Sequence, residues 1–252
     1  MRSLLAFMKK ELVAHVRSPK PIIITAVVVL IAVMNPIFAK ITPLLFEILE
    51  ESGLSVGEIT VSALDSWVQF YKNLPIIMIA FFLMEGNAFT KEYQSGTLIL
   101  TLSKGIERYK IIVANTTVLT VFWTLEYWLC YAITYVVTGF FFDNSALQNI
   151  GFAAFASWIF GVFVIALIVL SSAIFNTYGG VLFSTGGIIA VFYILMLVPK
   201  INKFFPTMLL SGTGLISGSV APADFVPSII IASVLSVLAI GASVPIFNKK
   251  QL

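Results

Sequence analysis

The chain has 252 residues, 59% of them hydrophobic and 11% charged, with a formal net charge of +3, and its mean hydropathy is +1.02. A soluble domain carries about 25% charged residues, so the composition excludes a water-soluble catalytic domain and predicts an all-α polytopic membrane protein whose spans use nearly the whole chain. One cysteine and one histidine exclude a disulfide framework or a Cys/His zinc site within the chain, and membrane topology accounts for the positive charge without nucleic acid.

Residues 1–20 open the chain with Leu4, Leu5, Met8, Leu12 and Val16 at helical spacing and Lys9, Lys10, His15 and Arg17 turned elsewhere. That pattern predicts an amphipathic helix lying in the membrane interface, with His15 as a snorkelling side chain. The stretch is too short and interrupted to be the apolar region of a cleaved signal peptide. Ser18-Pro19-Lys20-Pro21 ends it, because proline cannot continue a helix interior. Six spans are predicted, at 22–39, 74–89, 111–142, 150–175, 179–198 and 225–247. The third is longer than the bilayer requires and is expected to tilt or project. A connection over 40–72 is expected to hold two short surface helices, one with Leu44, Leu45, Ile48 and Leu49, the other with Leu64, Trp67, Val68 and Tyr71, separated by Gly53 and Gly57.

The segment 199–224 is ambiguous. Phe204–Pro222 is uncharged but rich in Gly, Pro, Ser and Thr, and as a seventh span it would move the Lys249-Lys250 tail to the other side. The distribution of basic residues decides. With six spans and both termini inside, the cytoplasmic side holds Arg2, Lys9, Lys10, Arg17, Lys20, Lys91, Lys104, Arg108, Lys110, Lys249 and Lys250, and the outside only Lys40, Lys72, Lys200 and Lys203. Residues 199–224 are therefore expected to dip into the outer leaflet and return, sheltered by protein as such backbone must be.

Glu126, midway along the third span, is the sharpest single residue, since a carboxylate at that depth costs several kcal/mol unless paired, protonated or facing water. It reads either as a substrate contact or proton-coupled group, or as a hydrogen-bonded carboxyl locking its span to a neighbour through a tyrosine or serine. Glu85, near the inner end of the second span, reads as interfacial or as a local cap. Cys130 reads as a small packing residue. The glycines of Ser211–Gly218 lack the lysine and the preceding strand of a phosphate-binding loop. Ala153, Ser157 and Gly161 recur every four residues, a face that permits close helix contact.

The polar stretch between the second and third spans, 90–110, reads Lys91-Glu92-Tyr93-Gln94-Ser95-Gly96-Thr97-Leu98, followed by Leu100, Leu102 and Arg108. Here the sequence resembles the membrane subunits of type-2 ATP-binding-cassette permeases: a glutamate, a Gly-Thr pair, a leucine-rich turn and a basic segment leading into the third span. It departs from that pattern at Gly105-Ile106, where a proline is usual, and at Asn115, where a lysine is common. The resemblance covers nearly the whole chain once the interfacial helix (the elbow helix of such proteins), the six spans and the apolar segment before the last span are included. It implies a permease half without its own nucleotide site, paired with a second copy in a 2:2 complex with separate ATPase subunits that bind ATP and Mg. Lys91, Glu92, Ser95, Gly96, Thr97 and Leu98 would then form a cytoplasmic coupling helix that touches the ATPase. The expected function is export across a bacterial plasma membrane of an amphipathic or hydrophobic cargo, with a peptide antibiotic first, a drug or lipid second and an ion third. The alternatives are a secondary transporter using Glu126 and a membrane immunity or sensor protein.

Overall fold

The computed structural model describes residues 2–51, 60–103, 105–199 and 201–250. Gly53, Gly57 and Glu58 of the expected 40–72 connection, with Lys104 and Lys200, lie outside the described residues. The described chain is built from helices without strands: α1 (Arg2–Val16), α2 (Lys20–Glu51), α3 (Ala63–Glu85), α4 (Ala88–Gln94), α5 (Thr97–Ser103), α6 (Arg108–Phe141), α7 (Ile150–Ile174), α8 (Tyr178–Met196), α9 (Gly212–Ile216) and α10 (Pro222–Lys249). Five stretches are long and apolar enough to cross a membrane, carried by α2, α3 with α4, α7, α8 and α10. That architecture fits a multi-pass membrane protein. The 34-residue α6 is long enough as well, but Asn115, Glu126 and six threonines dilute it.

α7 is the post around which the others stand. In its most apolar stretch 78% of residues are buried, against 11% for α8, so α7 is central and α8 peripheral. The expected small-residue face makes the contact. An added Cβ at Gly161 would lie 2.0 Å from the Trp123 indole of α6, and the same indole donates to the Trp158 carbonyl at 3.2 Å. Ser157, on that face, donates to the Leu209 carbonyl at 2.8 Å.

A polar ladder runs between α2, α3 and α6. Asn73 donates to Asn35 Oδ1 at 2.8 Å, Thr134 donates to the Ala32 carbonyl at 3.2 Å, and Ser66 and Thr138 share a hydrogen bond of 2.6 Å. Without a hydrophobic drive between helices in lipid, such cross-helix bonds contribute to association, on average about 0.6 kcal/mol each.

The 40–72 connection differs from expectation. α2 runs unbroken through Pro36 and Pro43 to Glu51, so the Leu44, Leu45, Ile48 stripe belongs to its extension and stands exposed. The helical spacing was legible, but Lys40 does not end the helix. Its ammonium lies 5.9 Å from the Phe142 ring centroid while the backbone continues. At about 1.5 Å per residue, the 32 residues of α2 reach about 48 Å, well past a hydrocarbon core of about 30 Å. The second expected surface helix is the first two turns of α3, started by a Ser62–Asp65 box in which the Ser62 amide donates to Asp65 Oδ2 at 2.8 Å. There Trp67 is fully buried and Tyr71 nearly so.

Residues 201–221 form short 3₁₀ turns, at Asn202–Phe204 and Pro206–Leu210, and then α9. Their backbone is met by other elements: the Gln148 amide donates to the Ile216 carbonyl at 3.1 Å and Ser228 to the Lys203 carbonyl at 2.7 Å, while Thr207 of the segment donates in return to the Phe192 carbonyl of α8 at 3.3 Å. Gly212 sits so close under Tyr71 that an added Cβ would lie 2.3 Å from its ring.

Replacing Gly161 by valine should lower stability by roughly 1–3 kcal/mol, because the Trp123 ring must move out of a filled interface. A detergent melt of wild type and variant measures it, and an unchanged melting temperature would show that α6 and α7 do not meet as described.

Candidate functional site

α3 ends at Glu85, and the polar stretch after it folds as two short helices. Gly96, with φ +68°, lies between α4 and α5, and Gly105, with φ +80°, precedes α6. At Gly96 nothing lies within 4 Å of where a Cβ would be, so the requirement there is the left-handed backbone and not space. Ser95 and Thr97 on either side share a hydrogen bond of 2.8 Å, and Thr97 donates to the Glu92 carbonyl at 3.3 Å. The turn is thus closed by its own side chains.

The sequence-predicted coupling residues separate into anchors and surface. Leu98 is buried, as are Phe89 and Thr90. Lys91, Ser95 and Thr97 are exposed, and Ile99 is 54% exposed. Glu92 departs from its expected exposure: it turns back toward α1, where Lys10 Nζ bridges Glu92 Oε1 at 3.2 Å and Glu11 Oε1 at 2.7 Å. These two carboxylates hold the Lys10 ammonium above its ordinary pKa against the opposing effect of partial burial.

A cavity of about 370 Å³ lies between α1, the α3–α4 junction, the start of α5 and the first half of α6. It brings together Lys91, Glu92, Ser95 and Thr97 with Lys10, Glu11, His15, Lys20, Glu85 and Asn115. Glu85 is fully buried, with His15 Nδ1 at 3.5 Å and Lys20 Nζ at 3.9 Å from Oε2. It faces the protein interior, and it caps no helix through a hydrogen bond among the described residues. His15 does not snorkel: its ring packs 4.0 Å from that of Phe122, centroid to centroid, and burial with the nearby Lys20 ammonium lowers its pKa to about 4.

Glu126 is not among the residues lining this cavity. It is buried, and Thr25 of α2 donates to its Oε1 at 2.6 Å. Its Oε2 meets no hydrogen-bond donor among the described residues. The carboxyl does tie its helix to a neighbour, through a threonine.

Three helices ending at this side of the bundle give their last carbonyls to cations. Lys20 donates to the Met84 carbonyl of α3. Lys250 donates to the Ser172 and Phe175 carbonyls at the end of α7, both at 3.0 Å. Arg108 donates to Phe247 at 2.7 Å, Asn248 at 3.1 Å and Lys250 at 2.8 Å, at the end of α10. Unmet C-terminal carbonyls carry partial negative charge, so these pairings serve hydrogen bonding and the helix dipole together. Counting basic residues located them on one side but gave no partner for any of them.

Compared with known families and with curated proteins, the chain matches no family model and no curated protein.

Two outcomes follow from the geometry. Gly96→Ala should cost about 1–2 kcal/mol through its left-handed backbone alone, read as a drop in melting temperature with unchanged helical content. For His15 the folded pKa of about 4 lies below the unfolded value of about 6.5, so the unfolded chain binds more protons between them. Its contribution is complete above pH of about 6.5 and is lost as pH falls toward 4. The stability difference between wild type and His15→Gln, measured from pH 7 to 4.5, should shrink on acidification; a constant difference would place the imidazole in water.

Proposed function

We propose that this chain is the membrane subunit of an ATP-driven exporter of the type-2 permease class, energised by a separate ATPase. The observation that carries the reading is the α4–α5 element. It is pinned inward by Phe89 and Leu98 and by the Glu92–Lys10 bridge, and it presents Lys91, Ser95, Thr97 and Ile99 outward. An element held between two long helices, with no catalytic groups of its own, can receive a push from a soluble partner and pass it to α3 and α6. The Ser95–Thr97 turn would be the contact, and Gly96 keeps it in shape.

In this reading α6 is the third of six spans, residues 201–221 are a re-entrant segment in the outer leaflet, and both termini are cytoplasmic in a bacterial plasma membrane. Two copies act with two ATPase subunits that bind ATP and Mg, and the chain performs no catalysis itself. Alternating access would release an amphipathic or hydrophobic cargo, with peptides first. A second reading, a proton-coupled carrier, is favoured by one observation: Glu126 Oε2 is buried without a donor, as a proton-binding carboxyl would be.

A mild-detergent pull-down from native membranes, with vanadate-sensitive ATP hydrolysis assayed in the eluate, separates the two. A stoichiometric ATPase subunit should co-purify, and Thr97→Arg should reduce it roughly tenfold or more by placing a bulky charge in the contact. A folded protein that emerges alone and inert toward ATP contradicts the exporter, and loss of transport in Glu126→Gln with indifference to ATP depletion would establish the carrier.

A further inference from the structure

The cavity beneath α1 contains more unmet polar capacity than its role as a joint between α1 and α4 accounts for. Glu85 is wholly buried, yet neither of its oxygens accepts a hydrogen bond among the described residues. A carboxylate offers about four acceptor sites, and burying one without donors is costly. Its two basic neighbours do not fill them. Lys20 directs its protons at the Met84 carbonyl and, at 2.7 Å, at Asn87 Oδ1, and it stays 3.9 Å from Glu85. His15 is at 3.5 Å without a hydrogen bond. Asn115, also buried, lines the same cavity from α6 and leaves its Nδ2 without an acceptor.

The lining also fixes the charge of what fits. Lys10, Lys20 and Lys91 face Glu11, Glu85 and Glu92, and His15 is neutral at pH 7 because burial and Lys20 lower its pKa to about 4. Three basic side chains stand against three acidic ones, so a ligand of large net charge is disfavoured. Within that balance the demand is polarised. The deep end, at Glu85, needs donors. Asn115 Nδ2 needs an acceptor, and Lys91 at the exposed rim makes no ion pair among the described residues. A volume of about 370 Å³ falls within the ordinary range for small-ligand sites, about 300–1,000 Å³.

We propose that this cavity binds a zwitterion bearing a primary ammonium, which donates to Glu85 while its anionic group lies toward Asn115 and Lys91. A primary ammonium has three N–H donors for the two carboxylate oxygens; a quaternary ammonium has none. Two sources share this chemistry: the headgroup of an ethanolamine phospholipid, reaching the cavity beside the apolar face of α1, and a small soluble zwitterion. The site requires neither the ATPase nor the cargo of the exporter reading.

The test uses the full-length protein, delipidated in a nonionic maltoside detergent. Phosphatidylethanolamine, its mono- and dimethyl forms, phosphatidylcholine and phosphatidylglycerol are added in turn. Retained lipid is read by native mass spectrometry and stability by melting temperature. Phosphatidylethanolamine should be retained roughly tenfold over phosphatidylcholine, the worth of one or two hydrogen bonds to a buried charge, and the preference should fall stepwise with each methyl group. Glu85→Gln should abolish that preference, and Lys91→Met, a change at the exposed rim, should weaken retention with the fold intact. Protection by soluble glycerophosphoethanolamine, the same phosphodiester zwitterion without acyl chains, equal to that of the lipid would assign the site to a soluble zwitterion. Equal retention of the ethanolamine and choline lipids, preference for phosphatidylglycerol, or an undiminished ethanolamine preference in Glu85→Gln would overturn the proposal. If Glu85→Gln does not fold, the methylation series on wild type and Lys91→Met decide between the same outcomes.

Discussion

Backbone groups that no water can reach must be satisfied inside the protein, and that constraint organises this chain. Within each helix it is met automatically; the problem lies at helix ends and in the irregular stretches. At one end of the bundle the carbonyls of α3, α7 and α10 are met by Lys20, Lys250 and Arg108. At the other, the turns of 201–221 are met by Ser228 and the Gln148 amide, with Ser157 reaching in from α7. Lys20, Arg108 and Lys250, which meet these helix ends, are also among the cations expected on the cytoplasmic side.

From that follows the character of the α1–α3–α4–α6 corner. α1 buries only Phe7 fully among its described apolar residues, with Leu4 and Met8 packed against the core, and the Lys10–Glu92 bridge adds a polar hold on its position. The polar stretch 90–110 is therefore joined to the membrane helices in two ways, by the apolar anchors Phe89 and Leu98 and by charge pairing to α1. An outward surface of Lys91, Ser95, Thr97 and Ile99 on such a support is what the proposed coupling role would use.

Much of the helical layout was legible because apolar runs and helical spacing are local properties. The α7 and α8 limits fall within two residues of expectation, and the close-contact face of Ala153, Ser157 and Gly161 is used. The 40–72 connection differs because a charge at Lys40 closes an apolar run without closing a helix, and α2 continues through Pro43 to Glu51. At the site, the sequence revealed Gly96 and the polar character of Lys91–Thr97, but not that Glu92 faces inward. Its partner, Lys10, is 82 positions away, and no periodicity reports a contact over that separation. The same holds for Glu85 and His15, each of which looked unremarkable alone. Glu126 was legible as costly from its depth, and only its partner Thr25 had to come from the fold.

The most direct test of this account is the side of the membrane on which its polar end lies. Single cysteines placed at Ile99, Lys249 and Asp143, in a Cys130→Ala background, can be labelled with a membrane-impermeant maleimide in right-side-out and inverted vesicles. The account predicts labelling of positions 99 and 249 only in inverted vesicles and of position 143 only in right-side-out vesicles. Labelling of position 99 from the outside would put the α4–α5 element out of reach of any cytoplasmic ATPase and contradict the account.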